Sequence, residues 1–396
     1  MFRRLLDRFR PHPSPAVAGP LADPAAWLRG GRAAVTGTLA VGAVVAGRLV
    51  RRARAAGADG ALPESLPLAV DAATGAFEIA GAQARYYVRA GVGVPVVVLP
   101  GVTPVSSCVE VAPLFEHLAR TTARPVYALD WLGFGRSDRP DLRYQSGLYQ
   151  RQLRRFLALV VGEPADVVAG ALGAEYAAAV AVAAPALVRR LVLVAPSGME
   201  SGSEGSLVGR VLVGLTGGTG AFALFFRSRL ARRDAIRRYY AENVFTTGAP
   251  VPDALVDYAD AAAHADGADH APRRYAEGLL YMDEYAHRSY ASLAVPTLAI
   301  LPALTDRVAP HFDALPSIAR HNDRLVVTKL DTGLLPQWEQ PDALFALLDT
   351  FLTGSDVPRY APVDRPTRRA LRAARATQTA GGAAEPDAKK AKRGAR

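Results

Sequence analysis

The stretch of sequence that decides the fold is residues 167–176, Val-Val-Ala-Gly-Ala-Leu-Gly-Ala-Glu-Tyr. It begins with an apolar run typical of a buried strand, continues through small residues, and ends in an alanine-rich segment that predicts a helix. Small residues are needed at such a turn because the helix packs closely over the strand and a larger side chain would clash. The stretch therefore predicts a strand, a tight turn centred on Ala171, and a helix.

Strand and helix patterns alternate on both sides of this stretch. Two short strands joined by a turn at Gly81 are expected first, and an amphipathic helix is expected at residues 111–120. A continuous apolar run, which is typical of a strand buried on both faces, occurs at residues 95–100, and further strands are expected at residues 125–130, 191–196 and 296–306. The alternation predicts a doubly wound, mostly parallel α/β sheet.

Four segments, in this order, resemble the α/β-hydrolase superfamily. They are Asp-Trp-Leu-Gly-Phe-Gly-Arg-Ser-Asp at 130–138, Ala-Gly-Ala-Leu-Gly at 169–173, the strand at 296–306, and Asp-Thr-Gly-Leu-Leu-Pro-Gln-Trp-Glu-Gln-Pro at 331–341. In that family the second segment is the nucleophile elbow, a strained turn that lifts the reactive side chain above the sheet. The resemblance covers roughly residues 77–353 and implies an α/β-hydrolase sheet with a helical cap insertion.

The resemblance also implies the positions of the catalytic triad. It places the nucleophile at Ala171, the histidine at Leu334 and the acid at Asp306, and it places the oxyanion hole at the backbone N–H groups of Val102 and Leu172. Hydrolysis by this fold needs a hydroxyl, an imidazole and a carboxylate. A methyl group cannot attack a carbonyl, and an isobutyl group cannot accept a proton. Only the acid position keeps a suitable side chain.

Other residues are candidates to replace the missing groups. Ser106, Ser107 and Cys108 follow the strand at 95–100, and the resemblance places their loop near the mouth of the site. They either supply a nucleophile or cap the following helix. His311 either reaches the pocket or lies near the surface at a helix start. Ser106, Ser107 and His311 are therefore candidate pocket residues.

Glu175 lies one helical turn after Ala171. It either presents a carboxylate at the pocket floor or is a helix residue paired or solvated elsewhere, and the second interpretation is favoured. Asp260, His264 and His270 imitate the spacing of metal ligands, but a solvated loop is favoured. The Gly run at 217–220 lacks the following Lys of a phosphate-binding loop. We therefore expect no metal and no cofactor.

Charge divides the chain into segments. The formal net charge of +10 comes from the ends: residues 1–60 hold ten Arg against three Asp, and residues 357–396 hold eleven Lys and Arg against three Asp and Glu. The predicted domains are a basic N-terminal extension (1–72), the first part of the core (73–198), a helical cap (199–290), the second part of the core (291–356) and a basic disordered tail (357–396).

The basic ends leave membrane contact open. Residues 1–10 place apolar side chains on one face of a short helix and arginines elsewhere, a pattern that suits an anionic membrane surface. Residues 33–47 carry no charge but are too short for a typical spanning helix of about 20 residues. The extension is either membrane-associated or loosely packed. We expect a cytoplasmic protein, no cleaved signal peptide, and no specific binding to nucleic acid.

Two functions from different classes follow from these residues. The favoured one is a non-hydrolytic protein that binds a small apolar molecule or a protein partner through the altered pocket. The alternative is an active esterase-like or lipase-like hydrolase that uses a non-standard nucleophile or base. A membrane-peripheral scaffold is a weaker third hypothesis. The first is favoured because both missing groups are replaced by apolar residues, which suit an apolar ligand better than activated water.

Overall fold

The computed structural model describes residues 66–198, 219–282, 284–302 and 314–359. These residues form an eight-stranded sheet with the strand order β1-β2-β4-β3-β5-β6-β7-β8. The strands are β1 (Ala73–Ile79), β2 (Ala82–Arg89), β3 (Val96–Leu99), β4 (Val126–Leu129), β5 (Ala165–Gly170), β6 (Val188–Val194), β7 (Thr297–Pro302) and β8 (Leu325–Leu330). Strand β2 pairs antiparallel with β1 and β4, and the pairings from β4 to β8 are parallel. The predicted fold class is confirmed.

The helices follow the strands in alternation. The described residues contain α1 (Ala112–Thr121), α2 (Ser146–Arg155), α3 (Ala171–Ala183), α4 (Thr219–Phe225), α5 (Arg233–Asn243), α6 (Asp253–Ala263), α7 (His270–Ala276), α8 (Glu284–Ala291), α9 (Ala314–Ala319), α10 (Pro336–Glu339) and α11 (Pro341–Thr353). A 3₁₀ turn, Cys108–Val111, precedes α1.

The strand order explains the winding of the sheet. From β3 the chain passes through α1 to β4 on one side, whereas from β5 it passes through α3 to β6 in the opposite direction. Since crossovers between parallel strands are right-handed, the two directions place α1 and α3 on opposite faces of the sheet. Strand β3 is therefore covered on both faces, and its four residues, Val-Val-Val-Leu, are all 0% exposed.

Helices α4 to α8 lie between β6 and β7 in the chain, at the position of the predicted cap. The Tyr176 hydroxyl on α3 donates a hydrogen bond of 2.6 Å to the Leu280 carbonyl, which joins this insertion to the core. The first part of the predicted cap, residues 199–218, and the two basic ends, 1–60 and 360–396, lie outside the described residues. The predicted domain boundaries stay predictions. No helix in the described residues is long and apolar enough to span a membrane.

An ion cluster lies at the amino-terminal end of β5, at the opposite end of this strand from α3. Asp166, near the start of β5, is fully buried and accepts hydrogen bonds from Arg124 and Arg189. Arg189 Nε lies 2.7 Å from Asp166 Oδ1. Because Arg189 belongs to β6 and Arg124 immediately precedes Pro125 and β4, one carboxylate ties together three segments of the sheet.

Candidate functional site

The turn between β5 and α3 has the strained geometry of an elbow. Strand β5 ends at Gly170, and α3 begins at the next residue, Ala171, whose φ is +45°. A non-glycine residue in this region costs of order 1–3 kcal/mol, so such strain persists only where the surrounding structure imposes it. Gly173 is part of that structure, because a Cβ there would lie 2.5 Å from the Pro100 carbonyl oxygen. The chain keeps the geometry that projects a side chain from the sheet edge, but the side chain is a methyl group.

A small cavity adjoins the turn. Its volume is about 30 Å³, which accommodates on the order of two water molecules. The lining comes from the ends of β3, β5 and β6, from the region before and within α1, and from the loops around Val244 and Leu334. Lining residues include Gly101, Glu110, Ala171, Val244, Leu334, Leu335 and Gln337. The cavity therefore lies where the predicted catalytic site would be.

Leu334 and Ala171 line this same cavity. Leu334 follows β8, is 3% exposed, and donates its backbone N–H to the Val244 carbonyl at 2.7 Å. Glu339 fixes the loop, since its carboxylate accepts from the Gly333 N–H at 2.6 Å and from the Thr246 N–H at 3.1 Å. The structure thus brings together two positions that are far apart in the sequence. Their assignment to the nucleophile and the histidine stays a prediction.

Only some of the remaining residues predicted for the triad, the oxyanion hole and the pocket lie in the described part of the chain. Asp306 and His311 lie outside the described residues. Leu172 is the second residue of α3 and is buried. Val102, also buried, directly follows Gly101, where a Cβ would lie 3.2 Å from Ala171 Cβ. Both amides therefore belong to the segments that meet at the turn, and their role as an oxyanion hole stays a prediction.

One interpretation of the sequence expected the hydroxyls of the loop before α1 to cap a helix, but the structure shows no such capping bond. Ser107 precedes the 3₁₀ turn without a side-chain capping bond, and its buried Oγ has no partner among the described residues. Ser106 Oγ instead donates to Glu110, at 3.2 Å from Oε1 and 3.3 Å from Oε2. Neither serine lines the cavity. The difference arises because a buried carboxyl in the turn competes successfully for the hydroxyl.

Cys108 is also a poor candidate nucleophile. Its side chain is fully buried, and its backbone N–H donates to Asp130 Oδ1 at 2.8 Å. Burial and the neighbouring Asp130 raise the pKa of the thiol well above its usual value, which disfavours the reactive thiolate. No histidine of the described residues lines the cavity. None of the described residues at this site therefore forms a nucleophile and base pair.

Glu175 is buried and paired, as the favoured interpretation of the sequence held, but it is not solvated. Its carboxylate accepts a hydrogen bond from Ser197 Oγ and another from the Met282 N–H at 3.0 Å. It is not among the residues that line the cavity. Glu175 therefore links α3 to the loop after β6 and to the chain before α8.

The histidines that imitate metal-ligand spacing use their rings for local contacts. Nδ1 of His264 lies 2.7 Å from the Asp260 carbonyl oxygen, and Nδ1 of His270 lies 2.9 Å from the Arg139 carbonyl oxygen. The second contact crosses to a distant part of the chain, so this segment is packed against the core and is not the solvated loop expected from the sequence. Within the described residues, no group of three potential ligands has the arrangement needed for a metal ion.

Glu110 is the site residue that the sequence analysis missed. It lies in the 3₁₀ turn before α1, lines the cavity, and is 3% exposed. Gln337 Nε2 and Trp338 Nε1 donate to its backbone carbonyl at 2.9 and 2.8 Å, which fixes the turn. Burial raises the pKa of the carboxyl to about 8, although the Ser106 hydroxyl and the Gly101 N–H oppose the shift. A single acid inside the apolar run 108–112 was the available signal.

The chain matches one known protein family over most of its length. A family model described as the alpha/beta hydrolase family matches residues 96–347. The chain belongs to the alpha/beta hydrolase family. This match confirms the resemblance carried by the four sequence segments. No curated protein matches the chain at a significant level.

Solved structures of other alpha/beta hydrolases share the fold. The 2-hydroxy-6-oxo-6-phenylhexa-2,4-dienoate hydrolase from Rhodococcus sp. strain RHA1 is 18% identical, with a TM-score of 0.57 over 71% of this chain and 99% of that chain. A mutant meta-cleavage product hydrolase from Pseudomonas fluorescens IP01, complexed with acetates, is 21% identical, with a TM-score of 0.54 over 70% and 97%. At these identities the likeness shows the fold alone.

Proposed function

We propose that this alpha/beta hydrolase family member binds a small apolar molecule in the elbow cavity and does not hydrolyse esters through a Ser-His-Asp triad. The observation that carries the proposal is that Ala171 and Leu334 line one cavity. A methyl group and an isobutyl group there supply neither a nucleophile nor a base. Oxyanion-hole donors and binding alone sustain only about 10³ to 10⁴ over the uncatalysed rate.

The lining of the cavity supports an apolar ligand. Its wall includes the apolar side chains of Leu99, Val111, Leu114, Val168, Val194, Val244, Leu334 and Leu335. At about 30 Å³ the cavity is far smaller than the 300–1,000 Å³ of drug-sized sites, so it favours a small molecule over a protein surface. A ligand of more than a few atoms therefore requires side chains of the cavity wall to rearrange.

A methyl-labelled protein tests this proposal with cyclopentane as the probe. We expect saturable shifts in the ¹³C-methyl NMR signals of Ala171 and Leu334, while the exposed Val92 methyls stay unchanged. Val244→Phe, which adds bulk to the cavity wall, should abolish the shifts, and Val244→Ala should strengthen binding because it enlarges the cavity. Val92→Phe, at a position 82% exposed, is the matched control. Shifts that survive Val244→Phe, or no shifts at all, would contradict the proposal.

A further inference from the structure

We infer that the end of the fold opposite the elbow docks on an anionic lipid surface. This end, which we call the basal face, consists of the segments at the amino-terminal ends of the parallel strands and at the end of α11: residues 89–95, 120–125, 159–166, 182–190, 292–296, 320–324 and 353–356. The inference is independent of the proposed function, because the elbow lies at the carboxyl-terminal end of the same strands.

Several contacts join these segments into one face. The Val92 N–H donates to the Ala123 carbonyl at 2.7 Å, which links the segments before β3 and β4. The Asp166 carboxylate links the amino-terminal ends of β4, β5 and β6 through its two arginines. The Arg190 guanidinium donates to the Leu352 carbonyl at 2.9 Å. The amino-terminal ends of β3 to β6 and the end of α11 therefore share one surface.

Most of the exposed large apolar side chains lie on the basal face. Within the described residues these side chains are Leu68, Val92, Leu159 and Val182, with exposed fractions of 47%, 82%, 66% and 37%. All but Leu68 belong to the basal face. Single apolar residues scattered over a protein surface are ordinary, but apolar residues gathered at one end among polar ones are typical of a contact surface. The basal face can therefore bury apolar side chains against a partner.

The basal face is also the basic side of an acidic fold. Residues 61–356 hold 26 Lys and Arg against 31 Asp and Glu, whereas the segments of the basal face hold seven Arg against four Asp and Glu. Four of these arginines are exposed and form no ion pair with a described residue: Arg89, Arg120, Arg320 and Arg324. This balance of charge favours an anionic partner.

Arginines of the cap are arranged differently. On α5, Arg232 pairs with Asp234 at 3.0 Å and Arg233 pairs with Asp257 at 2.9 Å. An arginine that is paired with a carboxylate in the fold contributes little net charge towards a partner. The exposed arginines of the basal face are thus available to an anionic surface, whereas these cap arginines are neutralised within the fold.

The course of the chain brings further positive charge to the basal face. Helix α11 ends at Thr353, and the chain then continues into residues 357–396, which hold eleven Lys and Arg against three Asp and Glu. The chain therefore enters its basic tail from the basal face. Attraction to an anionic membrane increases with each basic residue near the lipid, so the face and the tail favour the same partner.

The combination of charge and apolar side chains favours lipid over nucleic acid. The exposed apolar side chains of the basal face are aliphatic, whereas proteins that bind single-stranded nucleic acids stack the bases on aromatic side chains. Surfaces that bind anionic membranes combine basic residues with apolar side chains that enter the headgroup region. Docking through the basal face leaves the elbow cavity on the side away from the lipid.

Cosedimentation of the full chain with vesicles of equal parts phosphatidylcholine and phosphatidylserine tests the role of charge. We expect Arg89→Gln and Arg120→Gln each to lower the partition coefficient about fivefold, the contribution of one basic residue near an anionic surface. Arg232→Gln is the matched control, because this cap arginine is 62% exposed but paired, and it should bind like the unmodified protein. Vesicles of phosphatidylcholine alone should bind the chain much more weakly.

A bimane label tests whether the apolar side chains enter the lipid. The label is attached to the introduced cysteine of Val92→Cys or Leu159→Cys, since the native Cys108 is fully buried and stays unlabelled. We expect nitroxide-bearing lipids in the same vesicles to quench the fluorescence of both labels.

Leu68→Cys is the matched control for insertion. The Ala69 N–H donates to the Tyr87 hydroxyl at 3.3 Å, and this hydroxyl lies 3.5 Å from Asp130, which directly follows β4. Position 68 is therefore near the elbow end of the sheet, and its label should stay unquenched.

Three outcomes would overturn the inference. Binding that is unchanged in both basal arginine variants would show that the basic ends alone attach the chain to the vesicles. Quenching at position 68 in place of positions 92 and 159 would show that the opposite end faces the lipid. Tighter binding to a uridine oligonucleotide than to the vesicles, with no label quenched, would identify nucleic acid as the partner.

Discussion

Replacing Asp166 by Ala is expected to lower the free energy of unfolding by about 3 kcal/mol. Asp166 is fully buried, and its two oxygens receive both the Arg124 and the Arg189 guanidinium groups. Without the carboxylate, two partly buried cations face each other across β5 with no counter-charge. Their partial exposure, 19% and 36%, lets water repay part of the loss, which keeps the expected cost near the lower end of values for buried pairs.

Chemical denaturation of Asp166→Ala measures this effect, and Asp257→Ala is the matched control. Asp257 forms an ion pair with Arg233 at 2.9 Å, but both side chains are about half exposed. Exposed ion pairs contribute little to stability because water and salt screen them, so the control should unfold almost like the unmodified protein. Equal losses in the two variants would show that the sheet does not depend on the buried cluster.

The second large effect is the contribution of the Glu110 carboxyl to the pH dependence of stability. This contribution is expected to be absent in Glu110→Gln. The pKa of this carboxyl rises from 4.5 to about 8 on folding. Between these values the folded protein holds a proton that the unfolded chain has lost, so its contribution to stability decreases as the pH rises. The contribution is fully present below about pH 4.5 and is lost as the pH passes about 8.

The slope of this decrease is about 1.4 kcal/mol per pH unit. Glu110→Gln has no proton to lose at this position. The unfolding free energy of the variant minus that of the unmodified protein should therefore increase by about that amount per pH unit between about pH 5 and 7.5. Urea denaturation at several pH values gives the difference directly. A constant difference across this range, or one that shrinks as the pH rises, would mean that Glu110 is ionised in the folded state.

The fold was predictable because its signals are local. The apolar run of β3 and the small residues at 169–173 each specify one element, and the family resemblance orders them. The direct passage from β5 into α3 at Ala171 followed from residues that are neighbours in the chain. Sequence reasoning works where the residues that determine a structure lie within a few positions of one another.

The polar part of the site was not predictable for the opposite reason. Glu110 is held in its turn by Gln337 and Trp338, which are separated from it by 227 and 228 positions. Its other neighbour, Tyr240, belongs to a helix inserted between β6 and β7. No local pattern shows that these side chains meet. Ser106 was misjudged for the same reason, because the carboxyl that takes its hydroxyl becomes buried only in the folded protein.

The central claim is that the elbow has lost its hydrolytic chemistry, and the most direct test is the hydrolysis of short- and medium-chain p-nitrophenyl esters by the full chain. For the unmodified protein, for Asp306→Asn and for Ala171→Ser, we predict no turnover beyond the residual level that oxyanion-hole donors and binding alone sustain, since none of the described residues that line the cavity carries an imidazole to activate an introduced hydroxyl. Cooperative unfolding of each sample confirms that it is folded. Turnover that Asp306→Asn abolishes would contradict the claim and reveal a rebuilt catalytic site.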